Sequence, residues 1–244
     1  MRIVLKSGYD IVKEAINLLE EADDYNSSQR VREILRVLYS GCCAYCECAP
    51  EDGSYFHIEH FYPKDEALGY SAYIKAFENL HYSCQRCNNI KSNRDSEYIF
   101  SPNFYLDEEL NWVHANADKI EKELFYLGHL LFSKNLNPGS TDRGAETIKF
   151  FNLNNQNTTG KGRREALVES RLRHFAFVTR VVEVTFHLLT RYNKHNNKAI
   201  DILLRVLIQT INRDRPYSTM VIHNYGETMM QLITIFKRKS KLPI

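Results

Sequence analysis

Residues 56–64 read FHIEHFYPK: a short apolar run broken by His57, Glu59 and His60 and closed by Pro63. A strand in a folded core buries apolar side chains on at least one face. Three ionisable groups here therefore mark either a solvated strand end or a site that holds a metal and moves a proton. Two cysteine pairs bracket the stretch, Cys43-Ala-Tyr-Cys46 before it and Cys84-Gln-Arg-Cys87 after it. A CxxC turn presents two thiolates to one ion at about 2.3 Å each, so two such knuckles make a closed tetrahedral zinc site with no open position. Positions 47–83 separate the knuckles, well beyond the roughly 15–20 residues of a simple zinc ribbon. A sizeable insertion is held between them, and FHIEHFYPK lies in it.

Other readings of the cysteines are weaker. A redox CxxC is possible chemistry, but two pairs side by side point to metal, and the βαβ pattern of a thiol oxidoreductase is missing. Cys42/Cys46 or Cys46/Cys48 would also be usable pairs. Matching spacing in the second knuckle selects Cys43 and Cys46, which leaves Cys42 as a small buried residue and Cys48 as a bystander.

Bulk properties set the frame. The chain has 244 residues, 43% hydrophobic and 25% charged, ordinary values for a globular protein with a substantial core. No apolar run approaches the roughly 18–20 residues of a membrane span, and MRIVLKSGYD has no apolar h-region of a secretory signal. All six cysteines fall between positions 42 and 87, unlike a dispersed disulfide framework. The expectation is a reduced, cytoplasmic protein with no membrane contact. The net charge of +2 conceals an asymmetry: residues 161–244 hold 16 Lys/Arg against 6 Asp/Glu, while residues 1–160 hold 16 against 24. The basic half suits a polyanion, although solvated helix faces would look the same.

Periodicity places helices over residues 10–22 behind Asp10 and from Ser28 to Gly41, then at 163–192, 197–211 and 217–239. KELFYLGHLLF (122–132) reads as a hairpin turning at Gly128, and GAETIKFF (144–151) as a further helix. The expected class is α+β, mostly α-helical. Its parts are an N-terminal helical segment (1–41), a cysteine-rich module (42–103), a hairpin-and-helix extension (104–160) and a basic helical region (161–244).

Within the module, strand geometry sends Glu59 and His60 to opposite faces. Glu59, a hard oxygen donor, suits Mg²⁺, which needs only one or two protein ligands. His60, with an ordinary pKa near neutrality, can take a proton from water. Asn88-Asn89-Ile90-Lys91 reads as the first turn of a helix, from which Asn88 (or Asn89) can face the metal. Asn79 can hydrogen-bond backbone and pin the loop that carries His60. Each residue alone has a plainer explanation, and His57 reads as a neighbour or surface residue rather than a ligand. The order CxxC, EH, ENL, CxxCN is what gives them weight.

That order resembles the HNH endonuclease family, whose ββα-metal fold sets two strands and a helix around one catalytic metal. The resemblance implies His60 as general base, Asn79 as the loop-fixing residue, and Glu59 with Asn88 as ligands of Mg²⁺ or Mn²⁺. Cys43, Cys46, Cys84 and Cys87 would bind structural Zn²⁺, and Lys91, with Arg163 and Arg164 in the basic region, would contact phosphate. The family often has Asp at the place of Glu59 and His at that of Asn88; both departures keep hard-metal donors. Beyond the module, LFYLGHLLF, AETIKFFNLNN and GRREAL are similar to the HNH components of Septu and Septu-like retron anti-phage systems. This second resemblance implies a hetero-oligomeric complex with an ABC-type ATPase and a DNA or RNA substrate, tRNA included. The competing reading is a zinc-knuckle scaffold that binds nucleic acid or the ATPase without cutting.

Overall fold

The computed structural model describes residues 1, 10–49, 56–114, 120, 122–136, 139–157, 164–212 and 215–240. The chain divides into two compact units, one of residues 1–125 and 131–165, the other of residues 126–130 and 166–244. With seven helices among the described residues and three two-stranded sheets, the class is α+β and mostly helical.

In the first unit, α1 (Asp10–Glu21) buries Val12, Ala15 and Leu19, and α2 (Gln29–Leu38) buries Val31, Ile34 and Leu35. Both sets follow the helical repeat. Ser28 caps α2 by accepting a hydrogen bond from Val31 N at 3.3 Å. Strand β1 (Phe56–His60) pairs antiparallel with β2 (Leu80–Cys84), Glu59 lying opposite His81 and His60 opposite Leu80. Helix α3 (Gln85–Lys91) follows β2 directly. It begins three residues before the turn the sequence suggested, because the Cys84 sulfur caps it by accepting from Cys87 N at 3.4 Å. The knuckle thus doubles as a helix start, and two strands and a helix form one ββα module.

A second hairpin, β3 (Phe104–Leu106) and β4 (Trp112–His114), was not expected from the sequence. Its strands are too short to show a period of two, and cross-strand contacts of Phe104 with Trp112 and His114 hold it. Strands β5 (Leu124–Leu127) and β6 (Leu130–Ser133) form the hairpin expected around Gly128, whose φ of 62° suits a residue without a β-carbon. Helix α4 (Arg143–Phe150) is capped by Asp142, whose Oδ1 accepts from Ala145 N at 2.8 Å.

The second unit is built on α5 (Glu165–Thr190), α6 (Asn197–Thr210) and α7 (Ser218–Ser240). Val178, Leu189, Ile200, Leu207, Met220, Met229 and Leu232 form its core. Asn224 clamps the hairpin tip, accepting from Gly128 N and donating to Gly128 O, both at 2.9 Å. No described helix is long and apolar enough to cross a membrane.

Candidate active site

The four knuckle sulfurs converge. Cys43, Cys46, Cys84 and Cys87 place their Sγ atoms within 4.8 Å of one another, and Cys46 and Cys84 are 3.8 Å apart. Tetrahedral thiolate coordination with bonds of about 2.3 Å sets sulfurs about 3.8 Å apart, so the donor set fits one zinc ion. Backbone bonds shape the first knuckle: Cys43 N donates to Cys48 O at 2.9 Å, and Glu47 N donates to Cys43 O at 3.0 Å. Hydrogen bonding by the Cys43 thiol, then by the other cysteines, holds Cys46 well below the ordinary thiol range, while burial pushes Cys87 well above it. Four buried thiols do not ionise together without a cation, which is the condition zinc supplies. Cys48 is closer than a bystander, its sulfur 3.3 Å from that of Cys46, whereas the Cys42 sulfur meets Ser40 O at 3.6 Å.

Arg164 belongs to this cluster and not to a phosphate-binding surface. It is only 4% exposed and donates from a guanidinium nitrogen to Cys87 Sγ at 3.3 Å. Burial opposes its charge, but the Cys87 and Cys46 thiolates outweigh that and raise its pKa above the ordinary arginine value. Arg164→Gln is expected to keep the fold and weaken zinc binding about 10- to 100-fold, the usual cost of losing an outer partner of a metal ligand; competition with a chromogenic chelator reads this directly. Arg163 lies outside the described residues.

Glu59 sits behind the knuckle. The Tyr45 hydroxyl, inside the CxxC loop, donates to Glu59 Oε2, and Tyr45 itself stacks on Phe151 with ring centroids 4.3 Å apart. Lys91 brings its ammonium to 3.9 Å from Glu59 Oε1, with side-chain exposures of 0% and 3%. Lys91 also donates to Arg94 O at 3.0 Å. An ammonium so enclosed cannot reach an incoming phosphate, so the sequence assignment of Lys91 to substrate is corrected: it balances a buried carboxylate. Burial first, against the pull of Glu59, lowers its pKa.

His60 is 6% exposed, and its Nε2 lies 2.8 Å from Ile74 O. A carbonyl only accepts, so Nε2 carries the proton and Nδ1 the lone pair. The Tyr25 ring meets the imidazole edge-on at 4.4 Å between centroids. Burial pushes the His60 pKa down to about 4, leaving the ring neutral at pH 7 and able to accept a proton. Asn79 is 1% exposed and ties the loop after β1: it accepts from Tyr62 N at 2.8 Å and donates to Tyr62 O at 3.0 Å and Tyr73 O at 3.2 Å.

Glu59 and His60 open onto a polar cleft of about 540 Å³, lined also by Asn88, Asn89, His57 and Lys64, among others. A divalent cation fits the donors present. One carboxylate and one or two amide oxygens satisfy the few protein ligands Mg²⁺ requires. The His57 Nε2 is buried without a hydrogen-bond partner, an orphan that the water shell of a cation would satisfy. Lys64, the last residue of the opening stretch, is the exposed cation of the cleft, its Nζ 2.9 Å from the Tyr25 hydroxyl. The sequence reading gave it no role, because a lysine after a proline carries no periodic signal.

Residues 43–94, which span both knuckles, β1, β2 and α3, match the family model described as HNH endonuclease. The chain is also 28% identical over 153 residues to Septu protein PtuB of Bacillus mycoides (strain KBAB4), across 54% of this chain and 49% of that protein. A second similar protein, Septu protein PtuB of Bacillus thuringiensis, is 43% identical over 63 residues, or 25% of this chain and 23% of that one. The matches thus span about half or less of the length of these curated relatives. The ββα module matches the HNH endonuclease model, within a chain that is similar over about half its length to a Septu protein.

Proposed function

We propose that the chain is a metal-dependent endonuclease that hydrolyses phosphodiester bonds of DNA or RNA. In this reading it is the effector of a bacterial anti-phage system and works in a complex with an ABC-type ATPase. The observation that carries the nuclease reading is the cleft that gathers Glu59, His60 and Asn88 in a module that also carries a four-thiol cluster. The similarity to Septu proteins supports the defence role, and the basic excess of residues 161–244 supports a polyanionic substrate.

The residues divide the chemistry between them. His60, anchored through Nε2–H on Ile74 O, takes a proton from water at Nδ1, and the water attacks the scissile phosphorus. Glu59 and Asn88, with Asn89 as the alternative amide, would hold Mg²⁺ or Mn²⁺, which would supply charge neutralisation at the phosphate and at the departing 3′ oxygen. Tyr45 and Lys91 keep Glu59 in place and its charge balanced. Asn79 fixes the Tyr62 backbone and with it the turn after His60. Zinc on the four cysteines secures the two ends of the insertion. Loss of the 3′ oxygen leaves 5′-phosphate and 3′-hydroxyl ends.

The end chemistry tests this reading. Products that DNA or RNA ligase reseals without prior kinase treatment support it, whereas 5′-hydroxyl ends would exclude departure of the 3′ oxygen and cyclic-phosphate ends would exclude water as the nucleophile. Lys64 is the exposed ammonium beside His60, in the position to meet a non-bridging phosphate oxygen. Lys64→Ala is expected to lower kcat/KM about 10- to 100-fold, the range of one charge-assisted contact in a partly desolvated cleft. Steady-state cleavage of a labelled oligonucleotide measures it.

A further inference from the structure

Helix α3 has a second cavity on its other flank. It has a volume of about 630 Å³ and is lined by Arg86, Arg94 and Lys149 against one carboxylate, Glu146, together with Phe150 and the amides of Asn89, Asn152 and Asn157. Asn89 lines this cavity and the cleft of Glu59 and His60 as well, so a chain passing over Asn89 enters both. The cavity is built rather than incidental. The Arg94 guanidinium lies over the Phe150 ring at 3.8 Å from its centroid and donates to Ile90 O at 3.2 Å, which fixes a flat cation on an aromatic face. The far wall is tied by Asn152, which donates to Asn157 O at 2.7 Å and accepts from Asn157 N at 3.0 Å. Arg86, Arg94 and Lys149 are all exposed, in contrast to the buried Lys91 and Arg164.

We propose that this cavity is a nucleotide subsite for the strand flanking the scissile bond, taking a base against the Arg94–Phe150 stack and a phosphate at Arg86 and Lys149. The proposal rests on the nuclease reading and deepens it by naming the substrate contact. Planar bases stack on aromatic and guanidinium faces irrespective of sequence, and amides offer donors and acceptors to base edges. An acidic peptide would use the cations but gain nothing from the stack, so a nucleic-acid strand is the occupant that accounts for all of the lining. With α3 about 10 Å long at 1.5 Å per residue, the two cavities are near enough for one strand to occupy both.

The test separates binding from cutting by using the full-length His60→Ala protein with a fluorescent single-stranded oligonucleotide, read by anisotropy. Adding Arg94→Ala and Lys149→Ala is expected to weaken binding about 10- to 100-fold, the scale of one lost base stack and one lost phosphate contact. The slope of log affinity against log salt should fall by about 1. Deoxyadenosine 5′-monophosphate should displace the oligonucleotide from the protein with Arg94 and Lys149 intact, and polyglutamate of equal charge should do so poorly. Unchanged affinity and salt slope in the folded, zinc-loaded variant would overturn the subsite while leaving the nuclease reading in place. Equal competition by polyglutamate would overturn the nucleotide assignment in favour of an acidic segment. Failure of the His60→Ala protein itself to bind would overturn the subsite and count against the nuclease reading together.

Discussion

Cys84→Ser is expected to remove zinc and unfold the ββα module. The substitution deletes one of four thiolates and the sulfur that caps α3, so ligand and helix start are lost together. Binding of a structural zinc ion contributes about 10–16 kcal/mol in small zinc-finger peptides, comparable to the entire stability of a typical domain at about 5–15 kcal/mol. A unit whose central insertion is closed by this ion has no reserve to absorb its loss. The consequence reaches the cleft, because the first knuckle carries Tyr45 and Tyr45 holds Glu59. Zinc content measured by atomic emission should fall from one ion per chain to near zero, and the protein should become prone to aggregation. The helices of residues 166–244 contain none of the cysteines, so much of the far-ultraviolet helical signal should survive. EDTA treatment of the unaltered protein should reproduce the effect, and a chain that keeps its melting temperature without zinc would show that the cluster is not structural.

His60→Ala is expected to lower single-turnover cleavage by about 10²- to 10⁴-fold, the usual contribution of a positioned general base, with zinc content unchanged. The small structural effect follows from the surroundings. His60 makes one hydrogen bond, to Ile74 O, and an edge contact with Tyr25, and it contributes nothing to the thiol cluster. Its loss leaves the Ile74 carbonyl beside a cleft that water can enter, so the penalty should stay near the lower end of about 1–3 kcal/mol for an unpaired group. A variant that cuts at the unaltered rate would remove His60 from the base role. Imidazole added in solution should then also give no rescue, whereas partial rescue of an inactive His60→Ala protein would identify the missing function as proton transfer.

Legibility varied with the range of the interaction. The two knuckles and the strand between them could be read because ligand spacing and a short apolar run are local, but the alternation expected to send Glu59 and His60 to opposite faces does not part them: both are buried and both line one cleft. The helices from Asp10, Ser28 and Asn197 were legible for the same reason, each carrying a cap or an apolar stripe. Lys91 was misread because helix position alone cannot reveal a carboxylate arriving from β1, and an unpartnered lysine is exposed by default. Arg164 was misread in the same way, since its partner Cys87 is distant in sequence. Arg86 and Arg94 meet Lys149 only after α3 and α4 are placed, so no window of sequence contains that cavity. Asn88 and Asn89 both line the cleft of Glu59 and His60, and Asn89 lines the second cavity as well, a sharing that spacing cannot reveal.

The central claim is that the cleft of Glu59, His60 and Asn88 hydrolyses phosphodiester bonds with a divalent metal. The most direct measurement incubates the zinc-loaded protein with supercoiled plasmid and, separately, with total tRNA, in Mg²⁺ or without it, alone and together with ATP and the proposed ABC-type ATPase partner. Cleavage of at least one substrate is expected, requiring Mg²⁺ and lost in His60→Ala. No cleavage of either substrate in any of these mixtures, or cleavage that persists without the metal and with His60→Ala, would contradict the central claim and leave the zinc cluster as the core of a binding scaffold.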